Sequence, residues 1–338
     1  MTGTVEHGGA LARAIAEYGG EPGDWIDLST GINPNPVPLP DLPVQFWSRL
    51  PDEDLFEQAS RAAAIGYGSA ENIRPLPVAG TQSVIQLLPQ LFDGDIAIFG
   101  PTYEEYRSRF QRAGRAVDLV ARVEDINDSH RLVILVNPNN PDGRIVPRDE
   151  VLRLADRLAE QGGFLVVDEA FADLCPECSV AGDAGRQSNL IVFRSFGKFF
   201  GLAGLRLGFV LAAPSICGAI RDGQGPWAVS GPALGIAGSV LPDRQLRNRI
   251  EDRIRRRHAA LHGVLEEADL TIAGGTPLFM LVDDDRATAL HSHLCRYRIL
   301  TRKFHYEPHW LRIGLCRDRD EEARLREALA AFNGPGGE

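Results

Sequence analysis

The sequence is short of positive charge. Its 338 residues carry 36 lysines and arginines against 46 aspartates and glutamates, a net charge of -10. A general nucleic-acid surface needs a basic face for phosphate, so that class is set aside. Long apolar runs are also missing, and no stretch approaches the roughly 18 residues of a membrane span. The opening MTGTVEHGGALARAIAEYGG has no basic segment followed by an apolar one, so no secretion signal is expected. Five cysteines, an odd number in a chain this long, do not make a disulfide framework, and a reducing cytoplasm is the expected location. There is no internal repeat and no long low-complexity tract. What is present, 44% hydrophobic and 24% charged residues, suits a soluble globular enzyme of two domains or one large and one small.

The stretch GINPNPVPLPDLPV (31–44) is proline-rich and reads as an extended connector between two units. Beyond it the pattern alternates. Helices are expected over 54–68, 81–92, 102–114 and 147–163, and short apolar strands over 95–100, 131–138, 164–171, 189–196 and 208–212. That alternation predicts an α/β fold with a largely parallel sheet covered on both faces, and ligands in such sheets collect at the carboxyl ends of the strands. From about residue 225 the pattern changes to a long helix ending near 268, then short strands and helices, a smaller α+β unit. Seven arginines lie between 244 and 257, and mixed with Asp and Glu they read as a solvated helix face. The expected organisation is an N-terminal arm (1–35) packing with the small domain, a large domain (36–224) and a small C-terminal domain (225–338).

Chemistry concentrates in SFGKFFGLAGLRLG (195–208), which follows the apolar strand NLIVFR. A lysine behind a strand, among Phe196, Phe199 and Phe200, is costly as a bare ammonium. Burial lowers its pKa and makes Lys198 a nucleophilic amine able to form a Schiff base with an aldehyde. Ser195 and Arg206 suit a phosphate. Lysine and phosphate ligands together suggest pyridoxal 5'-phosphate. In VVDEAF, Asp168 closes a buried strand and could hold a pyridinium N–H; an N-cap or a metal ligand is the plainer use. In VNPNNPDG, Asn140 could bond the cofactor's phenolic oxygen, or the segment could simply be a turn. In AGTQSVIQLLP, a glycine turn opens a helix, placing the N–H groups of Thr81 and Gln82 at its positive end.

These four stretches, in this order, resemble the fold type I pyridoxal-phosphate enzymes of the class I/II aminotransferase group over nearly the whole chain. The resemblance implies a mostly parallel sheet of the seven-stranded type plus a small α+β domain. It implies that Lys198 holds the cofactor and Asp168 pairs with its ring nitrogen. Asn140 then bonds the phenolic oxygen, and Thr81, Gln82, Ser195 and Arg206 bind the phosphate. Tyr103 of GPTYEEY is expected to stack on the ring. Tyr67 of IGYG is expected to reach the phosphate from a neighbouring subunit, which implies a homodimer with shared active sites. Arg312 of WLRIGL is expected to grip the substrate carboxylate. One departure stands out: Phe171 occupies a place where many relatives have tyrosine, which leaves Asn140 as the main partner of the phenolic oxygen.

EHGG, LSTGINPNP, LPDEDL, AAAIGYG and PVAGTQSVIQLLPQL are similar to the threonine-phosphate decarboxylases of cobalamin biosynthesis, with histidinol-phosphate aminotransferases as the alternative. The substrate is then a small phosphorylated amino acid, with no nucleic-acid or membrane partner. Arg302, His7 and Lys303 are candidates for the substrate phosphate, and Asn33 is a weaker candidate near the carboxylate. For His7 and Arg302 a terminal arm and a surface charge are the plainer readings. The C-x-x-C of Cys175 and Cys178 lacks a second pair, so no zinc or redox role is expected. HSH (291–293) sits on a predicted helix, where alternate residues do not share a face, so metal binding is not expected there.

Overall fold

The structure, a computed structural model, describes residues 7–70 and 73–333. The chain forms two compact units. Among the described residues the first comprises 37–70, 73–140 and 144–249, and the second 7–36, 141–143 and 250–333. One boundary falls after Pro36, inside the proline-rich connector. The other falls inside the long helix Arg244–Glu267 rather than near 225, because helix Gly231–Val240 packs on helix Glu53–Tyr67 of the first unit.

In chain order the strands are β1 (Ile26–Asp27), β2 (Leu76–Val78), β3 (Asp95–Phe99), β4 (Asp118–Val120), β5 (His130–Val136), β6 (Phe164–Asp168), β7 (Leu190–Ser195), β8 (Gly208–Leu211), β9 (Ile272–Thr276), β10 (Phe279–Asp283), β11 (Ile299–Leu300), β12 (Arg302–Phe304) and β13 (Glu307–Gly314). The first unit is built on a seven-stranded sheet in the order β2-β8-β7-β6-β5-β3-β4. The β4-β3-β5-β6-β7 run is parallel, whereas β8 lies antiparallel to both β7 and β2. Five of these strands are legible as apolar runs, since a strand covered on both faces has no polar side. The two edge strands, β2 and β4, are not: each has three residues, and β2 carries Pro77. Proline cannot donate to a ladder and is confined to such edges.

The expected helix over 81–92 is two short helices, Thr81–Ile85 and Leu88–Leu91. Pro89 explains the break, because it has no N–H for the carbonyl of Ile85 and its ring crowds that carbonyl. On one side of the sheet, Ile96, Ile98, Ile134, Val166 and Phe193 pack with Tyr106 and Phe110 of helix Glu105–Arg112 in one buried cluster.

The second unit has a four-stranded antiparallel sheet, β12-β13-β10-β9, and a separate parallel pair, β1-β11. The extended segment 298–304 divides at Thr301, which is buried and bonded to His291. Its first half pairs with β1 and its second half with β13.

Candidate active site

In the first unit, the carboxyl ends of β2, β3, β5, β6 and β7 each deliver a candidate residue. After β7, Ser195 leads into the short helix Phe196–Phe199, which carries Lys198. The Lys198 ammonium donates to Ser195 Oγ at 3.3 Å. Phe196, Phe199 and Phe200 do not wall the lysine as expected. They are buried and pack on one another, with ring centroids 4.5 and 5.0 Å apart, while Lys198 is only half-buried. The ring beneath its ammonium is Phe171, 5.1 Å from the nitrogen.

Asp168 closes β6 and is 4% exposed. Its Oδ1 accepts the Ala170 N–H at 3.0 Å, and its Oδ2 accepts the Tyr106 hydroxyl at 2.8 Å. Burial pushes its carboxyl above the usual range, opposed by the charge on Lys198, the Tyr106 hydroxyl and the Ala170 N–H. A buried carboxylate facing one lysine is expensive, and it becomes stable when a further cation or donor reaches it.

After β5, the NPNNP turn is held by Asn137 and Asn139. Asn137 exchanges two bonds with the Val146 backbone, both 3.0 Å. Asn139 accepts from Thr102 Oγ1 at 2.6 Å and donates to Pro101 O at 3.0 Å. Those two are buried and structural, whereas Asn140 is half-buried at the end of the turn. The turn reading of this motif therefore applies to Asn137 and Asn139, and Asn140 stands beside them with its side chain only partly covered.

After β2, Gly80 (φ 74°) opens helix Thr81–Ile85, whose first N–H groups have no helical acceptor. A Cβ on Gly80 would stand 3.1 Å from an Arg206 guanidinium nitrogen and would strain the backbone as well. Arg206 itself holds φ 54°, a conformation rare for a residue with a side chain. The glycine leaves the guanidinium room beside the start of helix Thr81–Ile85. Tyr103 follows β3, and its hydroxyl donates to Gln82 Oε1 at 3.0 Å. The Gln82 amide in turn donates to Glu105 at 2.9 Å.

The second unit holds a different set. Arg302 on β12 and Arg312 on β13 are direct cross-strand partners. Arg312 is 7% exposed, lies 4.9 Å from the Phe279 ring and donates to Ser29 O at 2.8 Å. Two arginines facing each other on one face of a sheet repel, unless an anion sits with them. The arm reaches the same place: Gly9 N–H donates to Ser29 Oγ at 2.7 Å, and a Cβ on Gly8 would lie 2.3 Å from Ser29 O. Glycine is thus required at position 8 of EHGG, whose Glu6 lies outside the described residues. His7 is exposed at the start of this arm. Asn33 is buried, and its Oδ1 accepts the Asn35 N–H at 3.0 Å. Lys303 is half-buried and pairs with Leu311, one residue along from the arginine pair.

Tyr67 closes helix Glu53–Tyr67. It is 7% exposed within its own unit, with the Arg194 guanidinium 4.5 Å over its ring and Phe209 edge-on at 5.8 Å. Arg194 is itself buried in ion pairs with Glu169 (2.8 Å) and Asp173 (3.1 Å). Three residues escaped the sequence reading. Tyr106 could have been found from its spacing, since it follows Tyr103 by one helical turn. Ser29 and Arg194 left no local signal, because their partners are distant in the chain. Cys175 and Cys178 are free and buried, and no metal-holding cluster is present among the described residues. His291 bonds Thr301 at 3.0 Å and His293 bonds Ala328 O at 2.8 Å, so HSH is packing.

The profile of the family "Aminotransferase class I and II" matches residues 56–330. The chain belongs to that family. It is 52% identical to a threonine-phosphate decarboxylase of Sinorhizobium sp. over 98% of this chain and 99% of that one. It is 43% identical to a threonine-phosphate decarboxylase of Pseudomonas aeruginosa, over 98% and 99%. The crystal structure of a histidinol-phosphate aminotransferase from Clostridium acetobutylicum shares the fold, with a TM-score of 0.79 at 21% identity, covering 90% of this chain and 98% of that one. Members of the class I and II family that carry such a lysine and aspartate are pyridoxal-phosphate enzymes, and this chain has both. The first unit's residues fit that cofactor: an amine on the short helix after β7, a buried carboxylate with room for a further donor, and a glycine beside a guanidinium. No helix among the described residues is long and apolar enough to cross a membrane.

Proposed function

We propose that the chain decarboxylates O-phospho-L-threonine to (R)-1-amino-2-propanol phosphate in cobalamin biosynthesis. The observation that carries this reading is the Arg302–Arg312 pair, a doubly cationic strip suited to a substrate with both a carboxylate and a phosphate. Arg312, fixed by Ser29, forks the substrate carboxylate, and Arg302 with His7 and Lys303 takes the phosphate. Asn33 supports the carboxylate end.

In the first unit, Thr81, Gln82, Ser195 and Arg206 would hold the cofactor phosphate, joined by Tyr67 of the neighbouring copy; Tyr103 would stack on the ring, and Asn140 would bond its phenolic oxygen. Pyridoxal phosphate, when bound, supplies a cationic ring that accepts the electron pair of the breaking bond. Asp168 keeps the ring nitrogen protonated. Lys198 would hold the cofactor through its amine, and the same amine would supply the proton that Cα takes up as CO₂ leaves. The electron pair of the Cα–carboxylate bond thus ends in the new Cα–H bond, so the atoms balance with one proton consumed. Arg302 and Arg312 would decide which acidic group of the substrate is held and which is left to depart.

A second copy of the chain is the proposed partner. Leu39, Val44, Trp47 and Leu50 are 62 to 79% exposed within one short stretch, an apolar surface of the kind that homodimers cover. Shared active sites and a cytoplasmic location complete the proposal. The test is one assay of cofactor-loaded protein with O-phospho-L-threonine, following CO₂ and the pyridoxamine form together. Steady CO₂ release without pyridoxamine is expected. Pyridoxamine without CO₂, and faster turnover of histidinol phosphate, would make the chain an aminotransferase.

A further inference from the structure

Helix Glu105–Arg112 sits behind the strand ends and contributes Tyr106, a side chain with no exposure at all. Its hydroxyl is 2.8 Å from Asp168 Oδ2. It is packed in the apolar cluster with Ile98, Ile134 and Val166, and Tyr103 meets its ring edge-on at 6.3 Å. A phenol inside such a cluster is costly unless its O–H has an acceptor, and here that acceptor is the carboxylate of the site.

The geometry points to Tyr106 as a positioning residue for the reaction: its hydroxyl locks the Asp168 carboxylate in plane and in its charged form. The inference rests on the cofactor reading above. With Oδ1 tied to Ala170 N–H and Oδ2 to Tyr106, both oxygens are fixed, and each keeps a lone pair for a cationic donor. Lys198 is the cation that faces Asp168, and Tyr103 is the titratable group beside Tyr106. Burial works against a charged Asp168, and the Tyr106 hydroxyl is one of three groups that offset it. Remove the hydroxyl and the carboxylate both rotates and tends to take up a proton. It then holds the cofactor's ring proton less firmly, so the ring is a weaker electron sink.

The test is Tyr106→Phe, which keeps the ring and its packing, studied as holoenzyme. A hydrogen bond to a charged group predicts a fall in kcat of about tenfold or more, with KM within about twofold. The pH midpoint at which the bound cofactor changes colour should move upward by about one pH unit. The sign follows because a less positive ring draws less density from the Lys198 nitrogen, which then keeps its proton to higher pH. In a cycle with Asp168→Asn the two losses in kcat should be clearly less than additive. An unchanged midpoint with only a lower Tm of the cofactor-free protein would reduce Tyr106 to packing and overturn the inference, as would additive losses. If Tyr106→Phe does not fold, 3-fluorotyrosine at position 106, a stronger donor of the same shape, must move the midpoint downward, and no movement overturns the inference. A wild-type protein that takes up no cofactor would instead sink the cofactor reading and this inference together.

Discussion

Consider Arg302→Met. In the free protein Arg302 opposes Arg312 across β12 and β13, and its guanidinium lies 5.3 Å from the Phe304 ring. Relief of like charges on facing strands is worth about 0.2–1 kcal/mol. Loss of an exposed cation–π contact costs about 0.5–1 kcal/mol. The two nearly cancel, so stability should change by less than about 1 kcal/mol, a Tm shift within about 4 °C for a unit of this size. Substrate binding should behave differently. Charge-assisted hydrogen bonds to a phosphate are worth about 1.5–3 kcal/mol, so KM for O-phospho-L-threonine should rise about 10- to 150-fold. The assay pairs thermal unfolding with CO₂ release across substrate concentration, with L-threonine as a comparison that lacks the phosphate. The variant should close most of the gap between the two substrates. An unchanged KM beside a Tm lowered by many degrees would refute the reasoning and make Arg302 a structural residue.

Asp168→Asn should abolish turnover by about 10²–10⁴-fold, since about 4 kcal/mol attaches to a close charge pair at intermediate dielectric. The cofactor-free variant should nonetheless be at least as stable as wild type near neutrality. The Asp168 carboxyl is raised by burial, so its penalty grows as pH climbs from the carboxylate range and vanishes below it; pH-dependent unfolding should show the two proteins converging in acid. Gly8→Ala places a methyl 2.3 Å from Ser29 O and should raise KM through Arg312 while leaving cofactor absorbance unchanged. Glu169→Gln should cost about 3–5 kcal/mol in denaturant unfolding, because it strands part of the buried charge on Arg194, which remains paired with Asp173 alone.

Local signals carried far in this chain. Lys198, Ser195, Asp168 and Asn140 stand within a few residues of strand ends, and strand ends are legible wherever an apolar run stops. The sheet's five central strands were readable for the same reason. The edges were not, because β2 and β4 have only three residues each, β4 is largely exposed, and Pro77 argues against a strand. Phe196, Phe199 and Phe200 misled, since they pack on one another, and the ring under the lysine, Phe171, comes from the turn that follows β6.

By itself, then, the sequence determined the chemistry available: a lysine just past a strand end, a strand-end carboxylate, a glycine turn and a set of arginines, each at a spacing that the chain's own geometry makes meaningful. The tertiary structure alone decided which of these groups meet. Tyr106 reaches Asp168 across 62 residues, Ser29 reaches Arg312 across 283, and Arg302 faces Arg312 through a strand register. Such contacts depend on how strands pair and helices cross, and these are set by burial summed over the whole fold rather than by any local stretch.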